Sequence, residues 1–200
     1  LSASLLTTGL SVIGRTFSDL AGYDWLSTSW TECDTVAFKD GNVTTCTISS
    51  PNAAINGTTG AVCSFSANGA VVSGTTINCN KASGVTGYHL ELGTAVTAIT
   101  LTDVTLTGTP GTDKVHVLKT LTTVTAGSFV VGVHYRINTV GTTDFTLIGA
   151  GANTIGVNFT ATGIGSGTGT ADQAVKITTS GTTSLAEADC TTAGAPVWVA

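Results

Sequence analysis

The chain carries little charge. Its seven Lys and Arg and twelve Asp and Glu make up 10% of 200 residues, against about 25% in an ordinary soluble domain. The basic residues are scattered and outnumbered, giving a net charge of −5, so no cationic stripe exists to displace counterions from phosphates and no nucleic-acid partner is expected. Met is absent, and the polar helix formers Lys, Glu, Gln and Arg are scarce, which disfavours a helical domain. Although 42% of residues are hydrophobic and mean hydropathy is +0.37, no run approaches the roughly 20 apolar residues of a membrane-spanning helix. The five cysteines form no C-x-x-C pair or Cys/His cluster with zinc spacing. No Gly-x-Ser-x-Gly elbow is present, and the glycine-rich stretch 163–169 lacks the Gly-Lys-Ser/Thr ending of a phosphate loop. No cofactor and no metal are expected.

In place of charge the chain uses Thr, Ser, Asn and 25 Gly. β-Branched threonine suits an exposed strand face. Short alternating runs confirm the period of two: Tyr88, Leu90 and Leu92; Ile99 and Leu101; Val115 and Val117; Val131, Val133, Tyr135 and Ile137; Val175 and Ile177. Phe145 with Leu147, Val157 with Phe159, and the terminal Val197 to Val199 read as further strands. Turn dipeptides punctuate them at Asp40-Gly41, Asn56-Gly57, Asn68-Gly69, Ser73-Gly74 and Ser83-Gly84, which are hairpin signals. These patterns predict an all-β protein, an antiparallel sandwich or barrel-like arrangement with hairpins. No long-period repeat is evident.

One segment departs from the strand pattern. Leu6, Leu10, Ile13, Phe17 and Leu20 recur at alternating spacings of four and three, which predicts a short N-terminal amphipathic helix or arm with one apolar stripe. Those five residues are the candidate assembly contacts, whether the arm packs on its own domain or on a neighbouring subunit. The predicted organisation is a helical arm over 1–25, an N-terminal β domain over 26–122 and a Gly/Thr-rich β module over 123–200. The chain starts at Leu1, with no charged, apolar leader, consistent with removal or trimming of an upstream segment.

Cys33 and Cys46 bracket a strong turn signal, and Cys63 and Cys79 bracket two more, so these four are candidate disulfide partners across hairpins. Buried reduced thiols are the alternative. Cys190 is left over.

The stretch from Phe129 to Ala171 holds Phe129-Val130-Val131-Gly132-Val133-His134-Tyr135-Arg136-Ile137, then Thr142-Thr143-Asp144-Phe145-Thr146, Gly149-Ala150, Val157-Asn158-Phe159-Thr160-Ala161-Thr162-Gly163 and Gly165-Ser166-Gly167-Thr168-Gly169. It resembles a module of phage-encoded structural proteins, tail-fibre-like and other virion proteins of marine and cyanobacterial phages among them. The resemblance implies a non-enzymatic structural or adhesive role in a virion, outside the cell. The expected partners are copies of the chain and other virion or filament components, with host-surface glycan as a further candidate. A subunit of a secreted filament, a pilus or sheath, is the alternative expectation, and a carbohydrate-binding module using Trp25, Trp30 or Trp198 a third. His89, His116 and His134 fall on separate strands beside apolar neighbours, and Asp103, Asp113, Asp144 and Asp172 read as turn aspartates rather than calcium ligands.

Overall fold

The computed structural model describes residues 5–8, 11–13, 16–20, 23–31, 35–38, 42–50, 60–80 and 85–200, as backbone alone through residue 24 and at 31, 35 and 50. Strands follow one another in threes. The first coil holds β1 (Leu5–Thr8), β2 (Ser11–Ile13) and β3 (Thr16–Leu20). The second holds β4 (Tyr23–Leu26), β5 (Ser29–Thr31) and β6 (Thr35–Phe38). Then come β7 (Asn42–Thr44), β8 (Thr47–Ser50) and β9 (Gly60–Phe65), and β10 (Val71–Ser73), β11 (Thr76–Cys79) and β12 (Gly87–Leu92). The fifth coil is β13 (Ala98–Thr102), β14 (Thr105–Thr107) and β15 (Val115–Val117).

Each strand pairs in parallel with its counterpart one coil away, and this builds three sheets that run the length of a stack. Ser11, Ser29 and Thr47 align at intervals of 18 residues, and Thr47, Thr76 and Thr105 at intervals of 29. Three parallel sheets wound by successive coils make a parallel β-helix.

Before the stack continues, the chain leaves it. Elsewhere the passage from the third sheet to the first takes only Ser66–Ala70 or Gly93–Thr97. After β15 it expands into an insert of four antiparallel strands, β16 (Thr123–Thr125), β17 (His134–Thr139), β18 (Asn158–Thr160) and β19 (Thr170–Gln173), ordered β16-β19-β17-β18. The chain then rejoins the coils: β20 (Val175–Ser180) pairs with β13, β21 (Cys190–Thr192) with β15, and β22 (Val197–Val199) with β20.

Two cores result. Inside the coils, like stacks on like: Trp30, Ile48, Ile77 and Leu106 form one column, and Val36, Cys63, Leu90 and Val115 another. Phe38 lies flat on Phe65 at 5.2 Å. One coil buries no core by itself, so stability comes from the column that its neighbours complete. The insert has its own core of Phe129, Tyr135, Phe145 and Phe159 with Ile137, Ile148 and small Ala residues. Gly169 is required there, because a side chain would run into the Val140 carbonyl and the Phe145 ring.

The corner from first to second sheet repeats in every coil with described side chains. A left-handed residue sits there, Ser27 (φ 50°), Thr45 (53°), Gly74 (53°), Asp103 (52°) and Gly181 (65°) in succession. The N–H of each of the first four donates to the carbonyl ending the next coil's strand, as from Thr45 to Ser73 at 2.8 Å and from Gly74 to Thr102 at 2.9 Å. The residue after each of these four, Thr28, Cys46, Thr75 and Val104, is buried. At Thr75, which is 1% exposed, the hydroxyl accepts from Cys46 N–H at 3.2 Å and lies 2.9 Å from the Ser73 carbonyl, to which it donates. This satisfies polar groups that burial would otherwise leave costly.

Three expectations are corrected. The protein is all-β, but its larger sheets are parallel. Turns such as Asn68-Gly69 and Ser73-Gly74 carry the chain to the next face of the coil instead of reversing it beside the strand just left. Residues Asp40-Gly41, Asn56-Gly57 and Ser83-Gly84 lie outside the described residues. No N-terminal helix forms: Leu6 lies in β1, Ile13 in β2, and Phe17 and Leu20 in β3, while Leu10 is outside the described residues. The four-and-three spacing arises from strands of three to five residues separated by pairs, with Gly9 and Gly14, both poor in a helix, between them. Phe145 and Leu147 belong to a 3-10 turn, Phe145–Ile148, not a strand.

Candidate functional site: the junction between coils and insert

The insert's sheet has two faces. Tyr135 and Phe159 face its own core, and between them lie residues of opposite parity. Thr123, Asp172, Arg136 and Asn158 stand in one row across all four strands. The Thr123 hydroxyl donates to Asp172 Oδ1 at 2.5 Å, and Arg136 Nε donates to Asn158 Oδ1 at 2.8 Å.

From that row Arg136 reaches across to the coils. Its Nη2 donates to both carboxylate oxygens of Glu187 at 2.8 and 2.7 Å and to the Val197 carbonyl at 2.7 Å. Glu187 lies on the 3-10 turn Glu187–Asp189 that precedes β21. Beside this clamp is a cleft of about 350 Å3 lined by Leu121, Arg136, Asp172, Glu187, Thr192 and the segment Gly194–Val197. Trp198 lies next to it, with Lys176 Nζ 4.3 Å from its ring centre and the His134 ring edge-on at 5.9 Å. Burial, reinforced by the Lys176 charge, holds the His134 imidazole below its ordinary pKa.

A second polar group decorates the third sheet. His116 Nδ1 is 3.0 Å from Glu91 Oε2, the Tyr88 ring stacks on the imidazole at 4.5 Å, Thr191 donates to Asp113, and Lys114 pairs with Asp189 at 3.2 Å. Burial first, then the Asp113 and Glu91 charges, push the Tyr88 phenol up. Among the described residues no three His, Cys, Asp or Glu are grouped to hold a metal ion.

The remaining sequence candidates are dispersed. Cys46, Cys63 and Cys79 are thiols buried among core side chains, and among the described residues no disulfide forms. This corrects the predicted Cys63–Cys79 pair. No hairpin joins these two among the described residues, because Cys63 lies in β9 of the third sheet and Cys79 in β11 of the second. Cys33 lies outside the described residues. Leu6, Ile13, Phe17 and Leu20 lie in three different strands that belong to three different sheets. Trp30 is buried and packs edge-on against Trp25 at 5.0 Å and Phe38 at 5.5 Å. Asp144 Oδ1 caps a turn by accepting from Thr146 N–H at 3.0 Å, and Asp103 Oδ1 accepts from Thr182 N–H at 2.9 Å.

His89 is 2% exposed, its Nε2 2.8 Å from the Thr107 carbonyl, and its Nδ1 makes no hydrogen bond among the described residues. Burial lowers its pKa, with the nearby Lys114 charge adding to that and the Thr107 carbonyl opposing it.

Sequence reasoning missed Arg136 and Glu187 as partners. Arg136 is one of only two arginines in the chain and falls in a strand otherwise neutral apart from His134, a combination that marks a cation with a specific anionic partner. Glu187 offered no signal, because nothing in the sequence said that residues after 174 return to the coils. The chain matches no family model, and no curated protein or solved structure proves significantly similar to it.

Proposed function

We propose that the chain is a non-enzymatic structural subunit of a bacteriophage virion, displayed on the particle as a capsid decoration, head fibre or tail component. The observation that carries this reading is where the exposed apolar side chains sit. Of the seven large hydrophobics left exposed among the described residues, Leu121, Val130, Val131, Leu147, Ile155 and Ile164 lie between 121 and 164, Leu147 at 80%. Apolar side chains concentrated in one unit of a soluble surface mark a contact region.

Two further features support it. The segment that resembles a phage structural module, 129–171, falls wholly within the insert between β15 and β20, as expected of a unit that travels between proteins and is received in a surface turn. The coils offer a shaft of repeated hydroxyl rows, such as Thr44 beside Ser73 at 3.2 Å and Thr102 beside Ser180 at 2.8 Å, that holds such a unit away from the next.

Purified particles analysed by mass spectrometry and by labelling with an antibody against the insert provide the test. Peptides from the chain in intact virions, with surface label, are expected. Recovery in a cellular filament fraction and absence from particles would replace the virion with a pilus or sheath.

A further inference from the structure

We propose that the cleft between insert and coils is a subsite for a neutral sugar of a surface glycan. Clefts of about 300–1,000 Å3 at the meeting of two structural units are where small ligands are usually held, and this one has the polar groups a sugar needs. Asp172 uses Oδ1 for Thr123 and leaves Oδ2 without a hydrogen bond among the described residues. Arg136 commits Nε and Nη2 and leaves Nη1 likewise unengaged. An acceptor and a donor thus remain on side chains whose other atoms are already fixed, so little ordering is lost when a ligand binds. Leu121, 55% exposed, and Pro196 supply apolar surface for the C–H face of a pyranose.

Charge sets the class of sugar. Asp172 and Glu187 carry two negative charges against the one of Arg136, so the cleft repels sialic and uronic acids and accepts uncharged hexoses. Trp198 is not the platform, because the Lys176 ammonium lies over its ring.

The inference draws on the virion reading only for where the glycan comes from. Saturation-transfer NMR and calorimetry on the full chain, with methyl α-glucoside, methyl α-mannoside, methyl β-galactoside and N-acetylglucosamine as neutral probes and N-acetylneuraminic acid as the anionic one, test it directly. At least one neutral probe is expected to bind with a Kd of about 1 mM. Asp172→Asn and Thr192→Trp, the latter filling the cleft from an exposed position, are each expected to weaken it at least tenfold with an unchanged melting temperature. Absence of binding by every neutral probe, equal binding of N-acetylneuraminic acid, or an affinity indifferent to both variants overturns the proposal. A chain found in virions that binds no sugar would sink the subsite and leave the assembly reading standing.

Discussion

Arg136 and Glu187 are 51 residues apart in the chain and 2.7 Å apart in space. Between them they tie the insert to the coils that carry it. The pair is partly open to water, with side-chain exposures of 28% and 45%, so its Coulombic part is worth under about 1 kcal/mol. Arg136 also holds the Val197 and Asn158 oxygens, each bond adding about 0.5–1.5 kcal/mol. Arg136→Met is therefore expected to cost about 1–3 kcal/mol in urea unfolding, and Glu187→Gln about 1 kcal/mol or less. Hydrogen exchange should accelerate at 194–199 in the Arg136 variant while β9 and β12 stay protected. Equal costs for the two variants would mean that the ion pair alone matters.

Thr45 and Gly74 occupy the same corner in successive coils at the same φ of 53°. A β-branched residue is strained there, at a cost of about 1–2 kcal/mol, which glycine avoids apart from its larger unfolded-state entropy. Thr45→Gly is expected to raise stability by up to about 1 kcal/mol. Gly74→Thr should lower it by about 1–2 kcal/mol through backbone strain alone, because a Cβ at Gly74 meets Thr45 only at ordinary contact distances of 3.6–3.8 Å. Thermal melts of the two variants give the comparison.

These corners also show what the sequence let one read. Alternation identified the strands at Tyr88, Ile99, Val115 and Tyr135, because period two is a local property. Pairing is not local, and a short alternating run followed by a turn fits a hairpin and a coil equally. The deciding signal was there: Val43-Thr44-Thr45-Cys46-Thr47-Ile48, Val72-Ser73-Gly74-Thr75-Thr76-Ile77 and Leu101-Thr102-Asp103-Val104-Thr105-Leu106 repeat at 29 residues. Identity is low across it, because the corner asks only for one left-handed residue and the column only for an apolar one. The 18-residue spacing of earlier coils and the insert before β20 break the period further. The junction was less legible still, since Glu187 meets Arg136 only once the chain has returned to the coils.

His89 gives the protein an acid-sensitive step. Its imidazole is buried and held below the ordinary 6.5, and the half-buried His134 is likewise held below it. With folded pKa values below the unfolded ones, the unfolded chain binds more protons, so stability is full above pH 6.5 and is lost as pH falls toward the folded values. Asp189, pushed up by burial but pulled below its ordinary 3.8 by the Ala186 N–H and the Lys114 ammonium, adds its loss only in more acid solution. Urea midpoints measured from pH 7.5 to 5 should decline, and His89→Gln, neutral throughout, should flatten the decline. An unchanged slope in that variant would assign it to other groups.

The thiols offer the sharpest check on the parallel coils. Burial, and then the neighbouring Cys46, push the Cys63 thiol far above its ordinary range; burial also raises Cys46, against backbone hydrogen bonds from Thr28, Thr44 and Ser27 that lower it. Cys190 is pushed up to about 12 by burial and by Asp189, Asp113 and Glu187. Since the thiolate is the reactive form, iodoacetamide at pH 8 should leave Cys46, Cys63 and Cys190 unmodified in the folded chain. After unfolding without reductant, peptide mapping should find Cys46, Cys63 and Cys79 each alkylated. Hairpins would instead place Cys63 opposite Cys79, so a Cys63–Cys79 bridge in that map would contradict the coil winding that separates the third sheet from the second.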